Sequence, residues 1–183
     1  MTLPLPSEVY AELKRFLDFG DKDRDNLVAL GPTMDTHASK ITEGFYALLS
    51  QFPATAKHID GRVDALKKTH GAWMKGLVGG DYGDSYLESR WRIGLAHVRI
   101  GLEPYWVEAV MSFIRTNMAL AIASEIRDAA EAAEKQASFT KICDLDLLII
   151  NLSYGEDRLD RLTEFTGMKR ALIENIIKIP RKA

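Results

Sequence analysis

The chain has one cysteine in 183 residues, Cys143. That excludes an internal disulfide framework, a multi-cysteine metal site and a covalent C-x-x-C-H cofactor attachment. Cys143 lies in an apolar helical stretch and reads as a small buried hydrophobe. Excess charge of either sign is also missing. Twenty-four basic side chains stand against 26 acidic ones, which removes the electrostatic case for nucleic acid or an anionic membrane as partner. A small basic cluster, Lys178, Arg181 and Lys182, reads as a solvated tail. The start, MTLPLPSEVYAELKRF, lacks the basic opening and apolar run of a signal peptide. No stretch approaches the roughly eighteen apolar residues of a membrane span. These absences predict a soluble, cytoplasmic protein. Strand-like alternation is absent too, and 46% hydrophobic content suffices for one compact all-α domain with a sizeable core.

Helix punctuation divides the chain. Ser7 is placed to cap a short helix to about Phe19, closed by Gly20, and Asp21 to cap a second, stopped by Gly31-Pro32. From Thr33 to Gln51, Ile41, Phe45, Leu48 and Leu49 keep helical spacing until Phe52-Pro53. PATAKHIDG reads as a turn. Further helices are expected from about Arg62 to Val78 and from about Ser85 to Gly101, with Pro104 in the first turn of the next. Residues 104–133 and 138–179 then run almost without breakers, only Gly155 and Gly167 interrupting the second. Two helices of about thirty and forty residues far exceed the globular mean of about a dozen. The last carries Leu145, Ile149, Leu152, Leu159, Leu162 and Phe165, a stripe too long to bury on a small domain. The expectation is a homodimer joined through the two last helices.

The stretch RWRIGLAHVRIGLEPYW places one of only four histidines, His97, on a helix that is apolar nearly all round. His97 is therefore buried, either hydrogen-bonded within a helical core or holding a guest. Gly94 and Gly101 are costly in a helix interior and suggest room for something flat beside the backbone. Helix 62–78 offers the stripe Val63, Leu66, His70, Trp73 and Leu77, with Thr69 at its edge. Two polar groups on an apolar face could line a pocket. The ordinary alternative has Thr69 bonded back to a carbonyl one turn earlier and His70 at a wet rim. Spacing alone makes Tyr46, beside Phe45, a packing residue.

DYGDSYLESRWRIGLAHVRIGLEPYW resembles the signature of the globin domains of globin-coupled sensors and protoglobins. The matching positions are Tyr86, Arg90, Ile93-Gly94, His97, Ile100-Gly101-Leu102, Pro104 and Trp106. Upstream, ITEGFYALLSQ and VDALKKTHGAWMKGLVGG resemble that family's distal helices, so the likeness spans roughly residues 8–165. It implies one sensor globin domain over 1–183, with an extra N-terminal helix at 8–20, a globin core at 21–165 and a connector or tail at 166–183. It implies non-covalent haem b, its iron ligated by His97, with Phe45, Leu66, Trp73, Ile93 and Ile100 against the cofactor. Tyr46 matches the distal tyrosine that hydrogen-bonds the gas, and Thr69 a position where some members carry a second hydroxyl. One departure stands out: where some sensors have a tyrosine touching the proximal histidine, this chain has Val107, with Tyr105 on a different side of the helix.

The function implied is an O₂ sensor domain in signal transduction, not itself an enzyme, with CO, NO or cyanide as alternative ligands. Ligation state would pass through the dimer helices to an output domain. Within the 183 residues there is no kinase, cyclase or methyl-accepting region, so the chain reads as the sensory part of a longer transducer or as a stand-alone member. Two other classes compete: a haem dioxygenase or peroxidase, for which His70 is the sole evident acid–base partner, and a cofactor-free dimeric regulator. His70 precedes His97 by 27 residues and is expected at the rim or near the propionates, with sixth-ligand duty in the ferric protein as the alternative.

Overall fold

The computed structural model describes residues 6–179 and contains nine helices and no strand among them. Pro180, Arg181 and Lys182, with most of the expected basic tail, lie outside the described residues. The helices are α1 (Ser7–Phe16), α2 (Asp21–Ala29), α3 (Gly31–Leu49), α4 (Pro53–Ile59), α5 (Val63–Leu77), α6 (Asp84–Arg99), α7 (Pro104–Glu125), α8 (Ala129–Thr166) and α9 (Arg170–Ile177).

Local chemistry sets most boundaries. Neither expected side-chain cap forms at the first two helices. Ser7 is already helical behind Pro6, and α2 is capped at Gly20, whose N–H is accepted by Asp23 Oδ2 at 3.1 Å. PATAKHI is a full short helix, not a turn, opened by Pro53 at its first position. Its Thr55 hydroxyl donates to the Leu49 carbonyl at 2.6 Å, binding α4 to the end of α3.

The long C-terminal elements differ from the expected pair. The first stops at Glu125, because Ile126 is extended and Asp128 caps α8 by accepting the Glu131 N–H at 2.8 Å. No glycine or proline marks this break; the Asp-x-x-Glu of a capping box was its sequence signal. The second ends at Gly167, which takes the left-handed conformation at φ 66°. The chain then folds back, and Arg170 of α9 donates to Glu156 of α8 at 2.7 Å. Even so, α8 alone is 38 residues long.

A main core joins Leu27 of α2, Met34 of α3, Met74 and Leu77 of α5, Leu87 of α6, Ile114 and Met118 of α7, and Phe139, Ile142, Leu145 and Ile149 of α8. Two smaller clusters flank it. One holds Phe45, Tyr46 and Ile59, the other Val107, Ile150 and Tyr154. No described helix is long and apolar enough to cross a membrane.

Candidate functional site

Residues of both smaller clusters line a cavity of about 340 Å³. One wall comes from the first half of the fold: Phe45, Tyr46 and Leu49 of α3, His58 and Ile59 of α4, and Leu66, Thr69, His70 and Trp73 of α5. Another comes from the second half: Ile93, Ala96, His97 and Ile100 near the end of α6, Trp106, Val107, Val110 and Met111 of α7, and Ile150 of α8. The lining is predominantly apolar, as a site for a flat hydrophobic ligand requires. All eight residues singled out for cofactor and gas from the sequence therefore border one space.

His97 sits three residues before Ile100, and a Schellman motif ends its helix. Gly101 is left-handed at φ 68°, Gly101 N–H donates to the Val98 carbonyl at 2.9 Å and Leu102 N–H to the His97 carbonyl at 3.0 Å. Among the described residues neither ring nitrogen of His97 makes a hydrogen bond, and Nδ1 is buried without a partner. Burial pushes its pKa down to about 4, so the imidazole is neutral at physiological pH. An uncharged, uncommitted imidazole on an apolar cavity is available as a metal ligand.

The glycines beside His97 serve a different purpose from the one expected. A Cβ on Gly94 would lie 1.9 Å from Ser153 Oγ and 2.9 Å from its Cβ. The missing side chain thus admits α8 to the backbone of α6 and makes no room for a guest. Gly101 is required by its positive φ, with open space around it.

His70 is not at a rim. Its ring lies in the wall, stacked on Phe45 with centroids 4.8 Å apart and 5.2 Å from Trp73. Nδ1 bonds Thr42 Oγ1 at 2.9 Å, while Nε2 is buried and unpartnered. Burial lowers its pKa to about 4. Thr69, by contrast, is exposed, and its hydroxyl donates to the Leu66 carbonyl at 2.9 Å. One residue's difference along α5 packs the histidine into the wall and leaves the threonine exposed where it borders the cavity. Tyr46 is buried, its phenol pushed up to about 12 by loss of water, and its hydroxyl bonds nothing among the described residues. Its ring meets Phe45 edge-on at 4.9 Å.

Several contributors had no sequence assignment. Thr42 orients His70, and Asp146 anchors the wall from behind. Asp146 is fully buried on α8 and accepts from Trp73 Nε1 at 2.7 Å, Arg90 Nε at 3.1 Å and the Tyr86 hydroxyl. Burial raises its carboxyl above the usual range, opposed by Arg90 and by the hydrogen bonds from Tyr86 and Trp73. Arg90 also lies 4.0 Å above the Tyr86 ring. The signal was available: an aspartate inside the apolar run ICDLDLLII needs buried partners, and Tyr86 and Arg90 supply them.

An all-α chain with a histidine-bearing cavity between its central helices has the architecture of a globin-like domain. The sequence matches the Protoglobin family over residues 7–160, and the chain belongs to that family. It is similar to the globin domain of the Geobacter sulfurreducens globin-coupled sensor, at 32% identity and TM-score 0.76, covering 79% of this chain and 96% of that one. It also shares the fold of the globin domain of E. coli DosC. The ferrous form matches at 17% identity and TM-score 0.64 over 78% of this chain and 97% of that one. The ferric form matches at 17% and 0.65 over 79% and 98%.

Membership of a globin family implies haem, and the residues present fit it. One neutral imidazole has neither nitrogen engaged, the surrounding side chains are apolar, and Arg62, exposed at the cavity's edge, offers a cation to carboxylates. Val107, where some sensors have tyrosine, is buried against Ile150 and Tyr154.

Proposed function

We propose that this chain is a haem-based O₂ sensor domain in which His97 would hold the haem iron and Tyr46 would donate a hydrogen bond to the gas. The observation that carries this reading is His97, neutral, half-buried with its Nδ1 fully enclosed, and without a hydrogen bond on an apolar cavity that Tyr46 also lines. When bound, ferrous haem b supplies its iron and an open coordination position for a diatomic molecule.

The chain's own residues do the rest. Tyr46 stays protonated throughout the physiological range, so its hydroxyl remains a donor. O₂ is a better acceptor than CO in such a site, and one hydrogen bond in a dry pocket favours it by about 1 kcal/mol or more. Phe45, Leu66, Trp73, Ile93 and Ile100 exclude water around the cofactor. Thr69 reaches the gas only by giving up its bond to Leu66. His70 has a buried, unpartnered Nε2 in the same wall, which supports sixth-ligand duty in the ferric state over a propionate role.

The whole chain acts as one cytoplasmic sensor unit with an output domain as its client. The end of α8 supports a homodimer: Leu162 is 45% and Phe165 91% exposed, continuing a stripe whose earlier members Leu145 and Ile149 are buried. A second copy would cover them.

The test is haem titration followed by anaerobic reduction and O₂ exposure. The proposal expects a reversible shift of the Soret band without net chemistry. A second reading, a stand-alone haem dioxygenase or peroxidase, rests on His70 as acid–base partner; rapid turnover of NO or peroxide that His70→Phe abolishes would establish it instead.

A further inference from the structure

We infer that α8 positions both walls of the cavity at once, through Asp146 toward the α5 wall and Tyr154 toward the turn that follows His97. The inference rests on the haem reading above and goes beyond it by naming two positioning residues.

Asp146, Ile150 and Tyr154 recur every four residues and so share one face of α8. The middle one lines the cavity itself. At one end, Asp146 is the sole acceptor found for the Trp73 indole N–H among the described residues, at 2.7 Å. Trp73 lines the cavity and packs against His70. Because Arg90 and Tyr86 also grip Asp146, the carboxylate cannot follow a displaced indole without disturbing α6. Any movement of the Trp73 ring therefore stretches a charge-assisted bond ending on α8.

At the other end, the Tyr154 hydroxyl donates to the Leu102 carbonyl at 2.7 Å, and Leu102 N–H donates to the His97 carbonyl at 3.0 Å. The backbone of the candidate iron ligand is thus two hydrogen bonds from a side chain of α8. Between these ends Ser153 sits in the space left open by Gly94, so α6 and α8 touch nearly backbone to backbone. Close-packed helices in such contact shift between discrete arrangements and do not deform smoothly. A ligand that moves His70 and Trp73, or that pulls on His97, reaches the same helix.

A role confined to stability would make both residues matter equally with and without gas, so the test must compare ligation states. The full chain is loaded with haem, and hydrogen–deuterium exchange is followed across residues 142–158 in the reduced protein with and without CO. Trp73→Phe and Tyr154→Phe each keep a ring and remove one hydrogen bond, and the Asp146–Arg90 pair stays intact. CO is expected to change exchange at least about two-fold at both ends of the segment in the original protein. Trp73→Phe should lose the change around 146 and keep it around 154; Tyr154→Phe should do the reverse and also shift the iron–histidine stretching band. Unchanged exchange in the original protein, or the full response in both variants, overturns the inference while the haem reading stands. A protein that shows no Soret band overturns the haem reading, and the inference with it.

Discussion

Ser153 of α8 occupies the space where Gly94 of α6 would carry a side chain, one turn before His97. The Ser153 hydroxyl donates to the Ile150 carbonyl at 2.6 Å and so stays folded against its own helix. The close approach explains why a glycine is tolerated in the middle of α6 despite its conformational cost. Gly94→Ala should therefore lower stability by about 1–3 kcal/mol, as overpacking does. Thermal denaturation of the double variant Gly94→Ala, Ser153→Gly should recover most of the loss. A single variant as stable as the original would mean that the two helices separate freely.

The Tyr46 hydroxyl carries the gas preference in this account. Tyr46→Phe should raise the O₂ dissociation rate about five- to ten-fold, the equivalent of one hydrogen bond, and leave CO dissociation nearly unchanged. Thr69→Val should have a small effect, because its hydroxyl is already given to Leu66. Stopped-flow ligand replacement measures both. A larger effect from Thr69→Val than from Tyr46→Phe would reverse the two assignments.

Arg90 and Asp146 form a buried ion pair with an Nε–Oδ2 distance of 3.1 Å and both side chains almost wholly removed from water. Removing one partner strands the other. Arg90→Met should cost about 3–5 kcal/mol in urea denaturation at neutral pH. The deficit should shrink as the pH is lowered and the stranded carboxyl takes up a proton. Arg90→Lys should rescue little, since an ammonium cannot reproduce the stacked guanidinium.

His70 gives the haem-free protein a specific acid sensitivity. Its folded pKa of about 4 lies below the unfolded value of about 6.5, so the unfolded chain binds the proton first. Its contribution is full above about pH 6.5 and falls as the pH drops toward 4, by about 3 kcal/mol in all. The stability difference between the original chain and His70→Phe, measured against pH, should follow that window. A flat difference would place the ring in water.

The legible part of the fold was the part with strong local chemistry. Pro53, Pro104 and the helical spacing around Phe45, His70 and His97 set α3, α5 and the start of α7 to within a few residues. The α7–α8 break falls at 126–128 and not at the expected 134–137, because it is made by the Asp128 cap without a glycine or proline, and the reversal at Gly167 is only a weak mark in an otherwise unbroken run. The cavity's residues were mostly legible, since the family likeness and the apolar stripes indicated the same positions. Which neighbour is packed into the wall was not: Thr69 and His70 differ by about 100° around α5, and packing of Phe45 and Trp73 against the imidazole decides it. Asp146 is marked in the sequence as an aspartate in an apolar run, but spacing does not name its partners, which lie on two other helices, 56 to 73 residues away.

His97 carries the haem assignment. Titration of the haem-free chain with haem, monitored by absorption, should give a stoichiometric Soret band and, after reduction, the spectrum of a five-coordinate imidazole complex. His97→Ala should lose that ferrous spectrum, and added imidazole should restore it. A His97→Ala variant whose reduced spectrum matches that of the original chain would contradict the assignment.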